Sequence, residues 1–102
     1  MQSREVRFHD GALADHEEAV RWYSAQNPVR SIRFQHEIER AVERIRENPL
    51  AWPSFGEPAR RFVTRPFRYS VVYVIVGSVI WIVAVSHPSR DQDYWRGRLA
   101  DL

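Results

Sequence analysis

Arginine interleaved with aromatic rings is the chemistry that this sequence offers most densely. Arg60, Arg61, Arg65 and Arg68 follow one another ahead of an apolar run, and Arg90, Arg96 and Arg98 crowd residues 90–98. Tyr69, Tyr73, Tyr94 and Trp95 are set among them. A guanidinium forks onto two oxygens of a phosphate or a carboxylate, and an aromatic ring gives a base a face to stack on. The same residues could clamp an RNA phosphate or receive an acidic protein segment, and spacing alone leaves both open. A plainer arrangement puts Tyr69, Tyr73 and Trp95 in a core with the arginines around its rim.

Other chemistries find little support. There is no cysteine, so a disulfide scaffold, a zinc knuckle and a thiol nucleophile are all excluded. The glycine-rich phosphate loops, the zinc-protease helix motif and the nucleophile elbow are all missing. His9, His16, His36 and His87 never pair at three- or four-residue spacing, so no metal site is expected. Glu17 beside Glu18, and Glu39 with Glu43, read as solvated helix faces rather than acid–base pairs. No cofactor is expected.

The charge is small but unevenly placed. Fifteen basic residues against thirteen acids leave +2, and every basic residue is arginine. Residues 1–59 hold eight arginines and ten acids, whereas residues 60–102 hold seven and three. A basic second half points to an acidic partner, protein or nucleic acid. With 102 residues, 44% of them hydrophobic and 27% charged, the chain reads as one soluble domain over 1–102. The opening MQSREVRFHDG has no apolar core of signal-peptide type. The longest apolar stretch, Val71 to Val85, is interrupted by Gly77 and Ser78 and is too short for a membrane helix. The cytoplasm is the expected location.

These groups must be positioned by elements that the pattern makes legible. Residues 4–9 alternate as a short strand, with Val6 and Phe8 on one side and Arg7 and His9 on the other. Asp10 or Gly11 should break it, and a helix follows over 11–26, with Ala12, Ala19 and Tyr23 on one face. Asp15, Glu17 and Glu18 lie where the helix dipole favours negative charge. Asn27-Pro28 starts a second helix, from about Val29 to Glu47, whose apolar stripe is Phe34, Ile38, Ala41, Val42 and Ile45. With so short a connection the two should form an antiparallel hairpin. A loop over 50–58 brings two aromatics to a core edge. Strands are expected over Arg60–Thr64, Phe67–Val76 and Val79–Ser86, the last two joined by Gly77-Ser78 and central in the sheet. A short helix should close the chain from about Asp91. The order is β-α-α-β-β-β-α, an α+β fold.

Three segments carry a resemblance: VRFHDGALADHEEAVRWY, then RENPLAWPSFGEPARRFVTRPFRYSVVYVI, then VIWIVAVSHPSRDQDYWRGRL. In that order, over about ninety residues, the chain resembles the RelE/ParE superfamily of toxins from bacterial type II toxin–antitoxin systems. Its ParE-type members, often described as plasmid-stabilisation proteins, are the more similar. The resemblance implies a helical hairpin packed on a small, mostly antiparallel twisted sheet, and a cognate antitoxin protein as partner. The superfamily divides by mechanism. RelE-like members cut messenger RNA on the ribosome without metal, whereas ParE-like members poison DNA gyrase by binding it.

Compared residue by residue, the second group fits better. The RelE-type arginine before the central strand's apolar run is Ser70 here, and the second arginine, six residues before the C-terminal tyrosine, is Pro88. Losing one preorganised charge contact of this kind costs roughly 10² in rate. Tyr94 matches the RelE-type tyrosine, Arg90 lies four residues ahead of it, and His87 is a possible proton carrier. If the chain were an endoribonuclease, His87, Arg90, Tyr94 and Arg68 would carry the reaction, with Arg65 or Arg68 standing in for a lost cation. RelE-type cutters commonly place lysines where this chain has Arg60, Arg61 and Arg65. The expectation is therefore a gyrase-binding toxin without catalysis. Arg60, Arg61, Arg65, Arg68, Arg90 and Trp95 would contact target or antitoxin, and no metal or membrane would be involved. Ribosome-dependent cleavage of mRNA is the alternative, and a non-toxic interaction module the second one.

Overall fold

The computed structural model describes residues 4–102. Val6 and Phe8 are half-buried and Glu5 and Arg7 exposed, and this alternation forms strand β1 (Glu5–Phe8). His9 then stops the strand by capping a helix: its Nδ1 accepts the Gly11 N–H at 2.9 Å. Asp10 and Gly11, expected as breakers, instead make the first turn of α1 (Asp10–Gln26). An imidazole cap satisfies the orphan N–H as a hydroxyl or carboxamide would. Asn27 caps α2 (Pro28–Glu47), its Oδ1 accepting from Val29 and Arg30. Ser24 and Ser31 hydroxyls meet across the hairpin at 2.9 Å.

The four strands β1, β2 (Arg60–Val63), β3 (Ser70–Val76) and β4 (Val79–Ser86) form one sheet in the order β1-β4-β3-β2. The β1–β4 pairing is parallel and the other two antiparallel, so the sheet is mostly antiparallel. Gly77, at φ +61°, makes the expected two-residue turn between β3 and β4. Only the first central residue has positive φ, as in a type II′ hairpin. The strand expected from Phe67 starts only at Ser70. Arg68 there takes φ +61°, and Thr64 holds the turn: its N–H donates to Tyr69 O, its carbonyl accepts the Arg68 N–H, and its Oγ1 accepts the Tyr69 N–H.

Both sheet faces are covered. On the helical side Val71, Tyr73, Ile80, Ile82 and Val85 pack against Ala12, Tyr23, Phe34, Ile38 and Ile45. On the other side Val72, Val74, Val83 and Ala84 pack against Ala59 and Trp95. A bulge lets β4 serve both: Val72 pairs with Ala84 and Tyr73 with Ile82, so Val83 and Ala84 fall on one face and Val85 returns to the helices. The loop over 50–58 wraps the β2 edge. Trp52 packs on the helical side against Phe62, and Phe55 stacks on Trp95 on the other. The closing helix is shorter than expected, a 3-10 helix over Arg96–Asp101, because residues 92–95 form turns instead.

Candidate functional site

The site grows from an unfinished strand edge. β1 ends at Phe8, and His9 N–H makes the last backbone bond to β4, at Ile82 O. Beyond it, two side chains serve the bulged edge of β4. Arg98 Nη1 donates to Val83 O at 2.8 Å, and Asp15 Oδ2 accepts the Val85 N–H at 3.1 Å. The two side chains also pair with each other, Arg98 Nη1 and Nη2 reaching the Asp15 carboxylate at 2.8 and 3.2 Å. The Tyr94 hydroxyl donates to the same carboxylate at 2.8 Å. Asp15 is nearly buried, with 8% of its side chain exposed. Its hydrogen bonds to Arg98 raise the guanidinium's pKa further. Asp15 was expected to serve only the dipole of α1; in fact it staples α1, β4 and the C-terminal segment together. A second staple joins His9 Nε2 to Asp101 Oδ2 at 2.6 Å.

Gly11 makes room for this. A Cβ there would lie 2.4 Å from Arg98 Nε. Alanine inside a helix ordinarily stabilises by about 0.5–1 kcal/mol over glycine. Gly11→Ala should do the reverse, destabilising by about 2 kcal/mol as Arg98 is pushed from Asp15. Urea unfolding gives the sign directly.

Of the candidate reacting groups, Tyr94 belongs to this staple, and His87 and Arg90 lie in a cleft that Asp15 also lines. Burial, and then the hydrogen bond to Asp15, push the Tyr94 phenol up to about 12. Burial does the same to Tyr73, to about 12, against a lowering influence from Arg60. Burial also raises Tyr69, aided by Tyr23. A phenol that ionises later when folded binds its proton more tightly in the native state. Stability from these tyrosines is therefore complete below pH 10 and lost as pH rises from about 10 to 12. Phenolate absorbance of the folded protein should lag behind that of the unfolded chain across that window, and urea midpoints should fall through it.

Arg90 lies over the Tyr94 ring, 3.8 Å from its centroid. His87 is exposed, its Nδ1 meeting Ser89 at Oγ (2.7 Å) and at N–H (3.0 Å), and its ring edge abuts Tyr69. His87 and Arg90 share a cleft of about 370 Å³ with Trp22, Tyr69 and Asp15. Arg68 does not line it. The four residues named for an endoribonuclease are thus not assembled around one cleft, and the Tyr94 hydroxyl is committed inward.

The binding candidates separate as well. Arg60 is half-buried and donates to the Leu50 and Trp52 carbonyls, fixing the loop. Arg61 lies over Phe55 at 4.2 Å and reaches Ser70 Oγ at 3.3 Å. Arg65, Arg68 and Arg90 are exposed. Trp95 needs correcting as a contact residue. It is fully buried beneath Phe55, with Arg96 over its ring at 4.5 Å, because β3 and β4 have an apolar second face that needs a large cover. What sequence reasoning missed is a row of arginines on α2: Arg30, Arg33, Arg40 and Arg44, at helical spacing that the first-half charge total concealed.

A sequence profile described as "ParE toxin of type II toxin-antitoxin system, parDE" matches residues 6–92. The chain belongs to the ParE toxin family. It is 34% identical over 86 residues to "Toxin ParE2" of Mycobacterium tuberculosis strain CDC 1551 / Oshkosh, covering 83% of this chain and 82% of that relative. The same figures hold for "Toxin ParE2" of strain ATCC 25618 / H37Rv. The fold of this ParE-family toxin is shared by a chain of the "Chromosomal ParDE TA system from P. aeruginosa". The TM-score is 0.73 at 16% identity, over 83% of this chain and 96% of that one. The superfamily resemblance read from the sequence holds, on its ParE side. Among the described residues no helix is long and apolar enough to cross a membrane, and no cluster of potential metal ligands occurs.

Proposed function

We propose that this ParE-family toxin inhibits DNA gyrase by docking on it, without cutting nucleic acid, and that a cognate antitoxin neutralises it. The observation that carries the non-catalytic reading is the Tyr94 hydroxyl, held by Asp15 at 2.8 Å and raised to about 12. Such a phenol gives up its proton poorly near neutral pH, so it serves badly as a base. Ser70 and Pro88 at the two arginine positions of RelE-type cutters add to this. For the antitoxin, Arg65, Arg68 and Arg90 are exposed cations and the hairpin exposes Trp22 and Val29. An acidic, amphipathic segment laid across the hairpin and the turns that carry these arginines complements that surface.

One contact favours the alternative of ribosome-dependent mRNA cleavage. The Arg61 guanidinium reaches Ser70 Oγ, restoring a cation near a position where RelE-type cutters carry one. Two assays divide the readings. Purified toxin should block gyrase supercoiling or trap its cleavage complex, and should leave a translated message intact. Codon-dependent cut sites with gyrase unaffected would overturn the proposal. The antitoxin arm predicts a small reading frame beside the gene, whose co-expression should relieve growth arrest.

A further inference from the structure

Arg30, Arg33, Arg40 and Arg44 lie at three-, seven- and four-residue steps, which is one stripe along α2. At 1.5 Å per residue the stripe is about 21 Å long. None of these guanidiniums has an ion pair or a side-chain hydrogen bond among the described residues. The ion pairs found there join other residues. Two adjoining clefts run beside the stripe, of about 860 and 480 Å³, and both are lined by Glu37, Arg40 and Arg65. Glu37 is their one carboxylate, and its Oε2 is already engaged by the Phe67 N–H at 3.2 Å. Half-buried rings lie along the same path. Phe67 has Arg30 over it at 5.3 Å, and Trp52 has Arg44 over it at 5.9 Å and packs edge-on to Phe62.

We infer that the groove between α2 and β2 is a track for single-stranded nucleic acid, with the arginine stripe on the phosphates and Phe67 and Trp52 beside the bases. Four cations in a row against the single carboxylate of Glu37 suit a ligand whose negative charges repeat, and ring faces between them suit bases of any sequence. Charge alone would also suit an acidic peptide, but the rings beside the stripe favour bases, and an extended peptide would gain main-chain bonds only along the β2 edge. That edge is largely taken, since Arg61 N–H donates to Pro53 O at 3.1 Å and Ser54 bridges to Arg60. The groove is separate from the Asp15 staple and from the His87 cleft, and the inference does not depend on the gyrase proposal.

The test is fluorescence anisotropy of a short labelled deoxythymidine oligomer with the full chain. Four phosphate contacts on a single strand give a salt slope of about −2.8, so affinity should fall about 50-fold between about 50 and 200 mM salt. Arg33→Gln/Arg40→Gln should halve the slope, whereas Arg21→Gln, on the exposed side of α1, should leave it unchanged. All of these residues are exposed, so thermal midpoints should match the parent and separate lost binding from lost folding. An abasic oligomer should bind about tenfold more weakly if rings stack on bases. Absent or salt-insensitive binding would overturn the inference, as would a duplex binding as tightly as the single strand. Equal binding of the abasic oligomer, or an unchanged slope in the double variant, would do the same. Displacement of the oligomer by poly-glutamate at equal charge would overturn it in favour of an acidic protein partner.

Discussion

Asp15→Ala should destabilise this toxin by about 3–5 kcal/mol, the cost of leaving a half-buried cation and two inward donors without their acceptor. Three donors lose their acceptor at once: the Arg98 guanidinium, the Tyr94 hydroxyl and the Val85 N–H. Arg98 is 20% exposed at its side chain, so solvent cannot fully replace the carboxylate. Asp15→Asn keeps an acceptor but not the charge, and should fall between the parent and the alanine variant. The released segment is residues 94–101, so limited proteolysis should cut there first, ahead of global unfolding in urea. A loss below about 1 kcal/mol would place Asp15 among ordinary surface ion pairs and refute the staple.

Trp95→Ala should cost a similar amount, about 3–5 kcal/mol, by emptying the second face of the sheet. The indole is fully buried against Phe55 and the Val72, Val74, Val83 and Ala84 face. Its Nε1 has no hydrogen-bond partner there. Trp95→Phe therefore gives up area but also removes an unsatisfied donor, and should cost markedly less than the alanine change. The pair of variants distinguishes a core residue from a contact residue. If Trp95 touched a target, both would weaken binding per folded molecule; as core, both shift stability and leave the folded fraction's binding unchanged.

The elements were legible because their signals were local. Alternation at Val6 and Phe8, the Asn27-Pro28 start and the Gly77-Ser78 turn each depend on residues a few positions apart. The loop aromatics Trp52 and Phe55 were rightly placed at core edges, though not on opposite faces. What failed was non-local. Asp15 finds Arg98 eighty-three positions away, and nothing near Asp15 distinguishes it from Glu17 or Glu18. Trp95 looked like one of the rings among the arginines, because which rings turn inward depends on how the C-terminal turns cross the sheet. The basic second half was a true count and a poor map. Arg60 spends its charge on loop carbonyls, while α2, from the acidic half, presents an arginine row without ion pairs among the described residues. Sequence order separates charges that the fold brings to one groove.

The unfinished edge of β4 has a last consequence, for solubility. A strand with free N–H and C=O groups along one side invites another chain to pair with it, and proteins commonly blunt such edges with lysine, proline or a bulge. Here a bulge and one ion pair do that work, Asp15 occupying the Val85 N–H and Arg98 the Val83 carbonyl. The strand beneath is Val-Ala-Val, apolar and β-prone. Loosening this pair uncovers a sticky ribbon on an otherwise folded molecule, so the first visible sign of damage should be self-association through β4 rather than unfolding.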